Sequence, residues 1–297
     1  MANIFVNREN SGWIFDNIHD DYIKHTQHNV VNMRNADICW FLNPWGYFKY
    51  ARELKVPSFV HIHHIDESKV SQWRFDLIDQ FATGCIVPNR HTETTLKKYV
   101  KVPVYRFPYW VLTKMAIDQR NPIIDKTDGI LIGSFQKDSE GNTDKPKMSK
   151  GPDIFLKVLE KLIKKHKIKI ILTGYNRGYM IKGLINLGIP FEYRERTNDL
   201  SGLYDSLDWY FVTSRTEGGP QSVLEASARK VKILSTDVGI ASEVLHPDCI
   251  CNDIIDFVDK FERNVDRIDD NYNSVVEKFN CQLIVRQLDD FFEKRLR

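Results

Sequence analysis

Two glutamates eight positions apart, Glu217 and Glu225, are the residues whose spacing most clearly suggests chemistry. They flank a Gly-Gly-Pro turn at 218–220, which follows an apolar run at 208–213 that is typical of a buried strand. Because proline is accepted in the first turn of a helix, residues 221–229 are predicted to be helical. Glu217 is then expected on a strand-to-helix loop, and Glu225 about one and a half turns into the helix.

Glycines, free backbone amides and carboxylates together are suited to binding a phosphorylated sugar. Gly218 and Gly219 allow a ligand to approach the backbone, and the first amides of a helix attract phosphate. The two carboxylates can accept hydrogen bonds from sugar hydroxyl groups. Taken alone, the pair also fits a solvated loop glutamate followed by a glutamate on a helix surface.

The E-x7-E pattern and the residues that continue it resemble the retaining glycosyltransferases of family 4, which have the GT-B fold. The resemblance is specific over about 129–245 and weaker over 1–118. It implies that Glu217 faces the donor sugar as a catalytic residue and that Glu225 holds the ribose of the nucleotide. It also implies that Gly239 lies on a turn beside the donor. Retention of stereochemistry is implied in the same way, since no residue shows it independently.

The bulk composition excludes several other classes of protein. Of 297 residues, 42% are hydrophobic and 28% are charged, which is typical of globular chains and suits two domains. A net charge of +2 gives no general attraction to nucleic acid. No apolar run approaches the roughly 20 residues that span a bilayer, and the N-terminus lacks the features of a signal peptide. Five scattered cysteines suggest reduced thiols, so a cytoplasmic location is predicted, with peripheral membrane contact left open.

Short apolar strands alternate with helical patterns in both halves of the chain, which predicts mostly parallel sheets. The predicted fold class is α/β of GT-B type, with two doubly wound Rossmann-like domains that face a central cleft. The predicted domains are an N-terminal, acceptor-side domain (1–118), shorter than is usual in the family, and a C-terminal domain that binds the nucleotide sugar (119–273). An amphipathic helix at 274–297 is implied by the resemblance to pack back on the N-terminal domain.

A nucleotide-sugar diphosphate requires positive charge, and two lysines are candidates to supply it. Lys150 precedes a Gly-Pro pair at the start of a predicted helix, and Lys137 follows Gly133, a candidate donor contact, at the end of a strand. In the family an arginine usually follows this glycine, and here Ser134 takes its place, which makes Lys137 the less direct match. The polar segment 138–149 between them is expected to be a loop. Both lysines are predicted to be catalytic, with solvated surface lysines as the alternative.

The resemblance also assigns residues that contact the base and the acceptor. Tyr193 and Arg194 match the strand edge that contacts the base of the donor. Gly12, at a helix start after the first strand, is assigned to the acceptor side. His63 and His64 are assigned to the same side, at the carboxyl end of a strand.

Two alternatives to an acceptor role stay open for the histidines. Alternation places His61 and His63 on one face of a strand, as in some metal sites, but no further ligands are evident. A structural histidine is the other alternative. Because the sequence has no Asp-x-Asp, neither a metal nor another cofactor is predicted. Lysines and helix amides are expected to stabilise the diphosphate instead.

The predicted function is a metal-independent, retaining glycosyltransferase. Its donor would be a nucleotide-diphosphate sugar, such as a UDP- or GDP-sugar, and its acceptor a hydroxyl group of a glycan, a lipid-linked sugar or a small molecule. One alternative is an accessory subunit that binds the sugar nucleotide with little catalysis, and another is a GT-B epimerase or phosphorylase. A nicotinamide oxidoreductase is disfavoured, because the first strand lacks Gly-x-Gly-x-x-Gly.

Overall fold

The structure is a computed structural model that describes residues 1–10, 14–116, 119–125, 129–197 and 199–296. The chain divides into two compact units, the first comprising Met1–Thr113 with Lys278–Arg297, and the second Lys114–Glu277.

The first unit is built on a six-stranded sheet with the order β2-β1-β3-β4-β5-β6. Every strand pairing is parallel, so the carboxyl ends of its strands share one edge. The strands are β1 (Asn3–Val6), β2 (Asn29–Val30), β3 (Ile38–Phe41), β4 (Ser58–His61), β5 (Gly84–Val87) and β6 (Val104–Arg106). The helices between them are α1 (Ile14–His25), α2 (Pro44–Tyr50), α3 (Gln72–Phe81) and α4 (Arg90–Leu96).

The second unit repeats this architecture with a six-stranded parallel sheet of order β12-β11-β10-β7-β8-β9. The strands are β7 (Ile130–Ser134), β8 (Ile168–Thr173), β9 (Phe191–Arg194), β10 (Trp209–Val212), β11 (Lys232–Thr236) and β12 (Ile250–Cys251). The helices are α5 (Pro152–Leu162), α6 (Gly178–Asn186), α7 (Leu200–Ser206), α8 (Gln221–Ala228), α9 (Ala241–Val244), α10 (Ile254–Glu262) and α11 (Ile268–Lys278).

Central strands of both sheets are apolar because helices cover both of their faces. All four residues of β3, β4, β5 and β10 are buried. This pattern is the one expected of a parallel sheet in a doubly wound fold, and the sequence-based prediction of parallel sheets is confirmed. Among the described residues, no helix combines the length and the apolar character that crossing a bilayer requires.

The C-terminal segment forms two helices, whereas its sequence predicts a single one. Helix α11 ends at Lys278, and the last helix, α12 (Cys281–Leu296), begins after a short break. The break has a local cause, because Asn280 acts as a cap whose Oδ1 accepts a hydrogen bond from Leu283 N at 2.8 Å. An N-cap residue has non-helical backbone angles, so α12 starts anew there.

Helix α12 belongs to the first unit and is held there by a buried carboxylate. Asp289, 2% exposed, accepts hydrogen bonds from Tyr22 Oη at 3.1 Å, Thr26 Oγ1 at 2.7 Å and Gln27 N at 2.9 Å. Phe292, on the same helix, packs its ring against those of the sheet at centroid distances of 5.8 Å. A buried charge that is satisfied by three donors fixes the rotation of α12 against α1.

Candidate active site

The E-x7-E segment lies at the carboxyl end of β10, where the sequence predicts it. Glu217 is on the loop between β10 and α8, and Glu225 is in the second turn of α8. Pro220 is the N-cap residue of α8, one position before its predicted place in the first turn. The two carboxylates therefore occupy the loop and helix positions assigned to them from the sequence.

Lys150 and Glu217 are brought into direct contact by the fold. The Lys150 Nζ group donates a hydrogen bond to Glu217 Oε1, and the two side chains are only 20% and 13% exposed. Ser214 Oγ lies 3.3 Å from the same carboxylate oxygen. Two residues predicted to be catalytic thus form one ion pair at the edge of the second sheet.

A tight turn places Lys150 at this point. Gly151 has φ +60°, and a Cβ atom there would lie 1.7 Å from the carbonyl oxygen of Thr213, so only glycine fits. Arg215 N donates a hydrogen bond to Ser149 O at 2.8 Å. The turn before α5 is therefore held against the loop that carries the first glutamate.

Gln136 links the same elements, although no local sequence pattern marks it. Its Nε2 donates to Lys150 O at 3.0 Å, and its Oε1 accepts from Ser214 Oγ at 3.0 Å. The backbone oxygen of Gln136 accepts a hydrogen bond from the guanidinium of Arg177. One amide side chain therefore fixes the lysine turn relative to the hydroxyl that contacts Glu217.

Arg177 is a second residue that no sequence pattern marks. It is 2% exposed, its Nε lies 2.6 Å from Asp138 Oδ2, and its Nη2 donates to Ser134 Oγ at 3.3 Å. Burial raises the pKa of Asp138, although the arginine opposes this shift. A guanidinium from the loop after β8 thus lies beside Ser134, the position at which the family usually has an arginine.

Three lysines share the region around the end of β7. Burial lowers the pKa of Lys137, and the positive charges of Lys147 and Lys150 lower it further. Lys147 comes from the polar segment predicted as a loop, which is a hairpin closed by a bridge between Ser139 and Pro146. Mutually repelling cations at one place favour the binding of an anion with more than one charge.

Glu225 lies almost entirely inside the protein. It is 6% exposed, and Tyr204 Oη donates a hydrogen bond to its Oε2 at 2.9 Å. Burial raises the pKa of Glu225, and the Tyr204 bond and the charge of Lys114 oppose the rise. Tyr204 is on α7, 21 positions before the glutamate, so local sequence patterns could not pair them.

Three of the four glycines predicted to contact the donor lie in or beside the loop that carries Glu217. Gly239 has φ +57°, and a Cβ there would lie 2.9 Å from Glu217 O and 3.0 Å from Gly218 O. Gly218 is buried and Gly219 is half-buried. Gly133 has a different surrounding: it lies inside β7, and a Cβ on it would meet Leu207 Cδ1 at 2.3 Å. A packing requirement explains the glycine at 133.

Tyr193 and Arg194 are the last two residues of β9, at the edge of the second sheet. Tyr193 Oη donates to Gly174 O at 3.2 Å, and Arg194 forms an ion pair with Glu192 at 2.7 Å. In the sheet order β10-β7-β8-β9, two strands separate them from the strand that precedes Glu217. Tyr193 and Arg194 lie at the same carboxyl edge of the sheet as Glu217. Their polar groups are engaged by Gly174 and Glu192.

The acceptor-side residues lie on the first unit. Gly12 lies outside the described residues. His64 is exposed, whereas the ring of His63 stacks on Phe15 at 4.1 Å and on His61 at 4.7 Å and contacts Tyr109 Oη. Burial lowers the pKa of His63 well below its usual value, so this imidazole is neutral at physiological pH. The stack supports the structural alternative for His63.

The metal alternative for the histidines requires further ligands. Burial lowers the pKa of His61 to about 3, so its imidazole is also neutral. Within the described part of the chain, no group of three or more His, Cys, Asp or Glu side chains is arranged to hold a metal ion. His61 and His63 therefore have no third ligand there.

The sequence of the second unit matches a known family. Residues 141–267 match the model of the family described as glycosyl transferases group 1. This range includes Lys150, both glutamates and Gly239. No curated protein matches the sequence.

Several solved structures resemble this chain at low sequence identity. HepE of Anabaena, solved with UDP and glucose, is 13% identical with a TM-score of 0.75, and the match covers 99% of each chain. Sucrose-phosphate synthase of Thermosynechococcus elongatus is 13% identical with a TM-score of 0.69, over 93% of this chain and 76% of that one. S. aureus TarM, solved with UDP and other ligands, is 16% identical with a TM-score of 0.67, over 86% of this chain and 55% of that one. This chain thus spans about half of TarM.

These likenesses, taken with the two parallel sheets, confirm the prediction of a GT-B fold with Rossmann-like domains. The segment 141–267, which contains the paired lysine and glutamate, is similar to the group 1 glycosyl transferases. The prediction of a glycosyltransferase enzyme is therefore confirmed.

Proposed function

We propose that this enzyme is a retaining, metal-independent glycosyltransferase of the family 4 type. It moves a sugar from a nucleotide-diphosphate donor to a hydroxyl group of a glycan or lipid-linked acceptor. A UDP-sugar is the first donor to test, because the HepE and TarM structures contain UDP. The observation that carries the proposal is the ion pair between Lys150 and Glu217, held in place by Gly151 and Gln136.

The ion pair between Lys150 and Glu217 can be exchanged for contacts with the donor. When the diphosphate binds, the Lys150 ammonium can donate to a phosphate oxygen, and Glu217 Oε1 becomes available to a donor hydroxyl group. As the bond from the anomeric carbon to the phosphate oxygen breaks, negative charge grows on the leaving diphosphate. Lys150 and Lys137 stabilise that charge, and Lys147 adds a third cation nearby.

Glu225 binds the ribose in this proposal. Its Oε2 already accepts from Tyr204, but a carboxylate has about four acceptor positions and can still receive two ribose hydroxyl groups. The ribose bonds require the ionised form, which burial disfavours. Donor binding therefore compensates part of the cost of keeping this charge inside the protein.

Retention follows a front-face course in the proposal. The acceptor hydroxyl attacks the anomeric carbon on the face from which the diphosphate leaves, and its proton passes to the departing phosphate oxygen. The stabilising groups are cationic side chains and helix amides, because the sequence has no Asp-x-Asp. Glu217 orients the donor and does not form a covalent intermediate.

The remaining assignments are also part of the proposal. Gly218, Gly219 and Gly239 lie along the donor, and Tyr193 with Arg194 borders the base. The five cysteines are buried free thiols, which supports a reducing, cytoplasmic location.

The proposal is tested by donor binding and transfer on the purified full chain. Thermal shift with UDP-, GDP-, ADP- and dTDP-sugars identifies the donor, because a ligand of the native state raises its stability. Transfer is then followed with a panel of glycan acceptors, and the anomeric configuration of the product is read by NMR. An inverted product contradicts retention. Donor binding without transfer to any acceptor would favour the accessory subunit, and release of a free epimer would favour an epimerase.

A further inference from the structure

Two tryptophans on the first unit are exposed to solvent. Trp45 is 61% exposed and Trp73 is 56% exposed. They lie in the first turns of α2 and α3, and α2 begins directly after β3 ends, at the carboxyl edge of the first sheet. A single exposed apolar residue is ordinary, but two large aromatic side chains at one place mark a binding surface.

The two tryptophans belong to one aromatic surface. Phe48 lies between them, with its ring 6.1 Å from that of Trp45 and 5.7 Å from that of Trp73. The guanidinium of Arg74 lies 4.3 Å from the Trp45 ring and 5.5 Å from the Trp73 ring. Stacking of a guanidinium on both rings holds them in position before any ligand arrives. We call Trp45, Phe48, Trp73 and Arg74 the aromatic platform.

The Arg74 guanidinium is held in part by its contacts with the two tryptophan rings. Within the described residues, the Nε of Arg74 is buried and has no hydrogen-bond partner. A buried donor without a partner is uncommon and costs stability.

A groove of about 460 Å³ runs beside the platform, between α2 and α3. Phe48 and Trp73 line its apolar part, and its volume lies in the range of small-molecule sites. The polar part of its lining consists of Lys49, Arg52, Glu53, Asp76 and Gln80. The groove therefore joins two aromatic faces to five hydrogen-bonding side chains.

The lining indicates the chemical class of the occupant. Two side chains of the groove lining are positive and two are negative, and Arg74 of the platform adds one positive charge. The net charge of the site is therefore small, which favours a neutral occupant over a phosphate group or an anionic membrane. A sugar ring has an apolar C–H face, which packs on an aromatic ring, and a rim of hydroxyl groups. Those hydroxyl groups both donate and accept, and carboxylates, guanidinium groups and amides are their natural partners.

We propose that the aromatic platform and the adjoining groove bind a neutral oligosaccharide chain. This site uses residues of α2 and α3 that have no part in the proposed transfer reaction. Binding at this site needs no nucleotide donor, so it can be tested independently of the transfer reaction. A transferase that holds a glycan chain in this way would keep its polymeric substrate or product attached between encounters with the donor.

The test measures sugar binding by the full chain in the absence of any nucleotide. The probes are maltoheptaose, cellohexaose, chitohexaose and laminarihexaose, followed by calorimetry and by tryptophan fluorescence. At least one probe is expected to bind with a Kd on the order of 1 mM or tighter. Trp73→Ala and Trp45→Ala should each weaken that binding at least about tenfold, because exposed tryptophans dominate such contacts. Their thermal stability should match that of the wild type.

Ile185→Ala is the matched control, since Ile185 is 64% exposed on α6 of the second unit and does not belong to the platform. It should leave sugar binding unchanged, and all three variants should bind UDP like the wild type. The proposal is overturned if none of the four probes binds at about 10 mM, well above that Kd. It is also overturned if binding survives both tryptophan variants. Loss of vesicle binding or of self-association in those variants, without sugar binding, would assign the platform to a membrane or to a second copy of the chain.

Discussion

Replacing Glu225 with glutamine separates the roles of the two glutamates. The Glu225 carboxylate is 6% exposed, and Tyr204 occupies one acceptor position of Oε2 at 2.9 Å. The variant keeps the shape of the side chain and an oxygen that can accept from Tyr204. It removes the charge and one of the two oxygens, so the ribose loses its charge-assisted bonds.

The size of the effect follows from these contacts. A hydrogen bond to a charged group contributes about 1.5–3 kcal/mol, roughly twice a neutral one. Two such bonds that lose half their strength cost about 1.5–3 kcal/mol together, which is about a 10- to 150-fold increase in Kd. Glu225→Gln should weaken UDP and the UDP-sugar by a similar factor. Thermal stability should not fall, because burial raises the pKa of Glu225 and disfavours its charge.

Calorimetry with UDP on Glu225→Gln and Glu217→Gln makes the comparison. Glu217→Gln should leave UDP affinity nearly intact and lower turnover, because its carboxylate is assigned to the sugar. In the wild type, UDP affinity should fall on acidification at a higher pH than the usual glutamate pKa of about 4.3, and Glu225→Gln should lack this dependence. Equal losses of UDP affinity in the two variants would refute the division of roles.

Two further predictions concern residues of the second unit near Glu217 and Ser134, and a third concerns metal dependence. Gly239→Ala places a Cβ atom on a backbone with φ +57° and 2.9 Å from Glu217 O. It should lower the free energy of unfolding by more than about 1 kcal/mol and should also lower turnover. An unchanged midpoint in chemical denaturation would contradict this account of the packing. Arg177→Ala leaves the Asp138 carboxylate buried without its partner and should cost about 3–5 kcal/mol of unfolding free energy, whereas Arg177→Ala with Asp138→Asn should recover part of the loss. Saturating EDTA should leave transfer nearly unchanged, and its abolition with rescue by Mn²⁺ would show a metal-dependent reaction.

Local patterns were sufficient to predict the central strands and the E-x7-E loop, but not the two-residue strands β2 and β12. Apolar runs bounded by turn residues located the central strands, and β10 (Trp209–Val212) lies within the predicted run at 208–213. Helix α2 carries helix-start signals, since Asn43 caps it and Pro44 follows. Its interior is aromatic and contains Gly46, residues of modest or low helix propensity, so periodicity alone does not reveal it.

The side chains that complete the site could not be predicted because distant segments supply them. Ser214 meets Gln136 across 78 positions, and Lys150 meets Glu217 across 67. Sequence spacing carries no information about such contacts until the strand order is known. Arg177 illustrates this limit, because it approaches Ser134 from the neighbouring strand's loop, and nothing in its own surroundings in the sequence marks it.

The transfer kinetics of Lys150→Ala test the central proposal most directly. The exposed Lys157 of α5 supplies the matched control, as Lys157→Ala, and the melting temperatures of both variants show whether the fold is intact. Because Lys150 acts on charge that grows as the diphosphate leaves, kcat should fall about 10- to 1000-fold while the Kd for the donor changes by far less. Wild-type turnover by a folded Lys150→Ala protein would contradict the assignment of the Lys150–Glu217 pair to the active site.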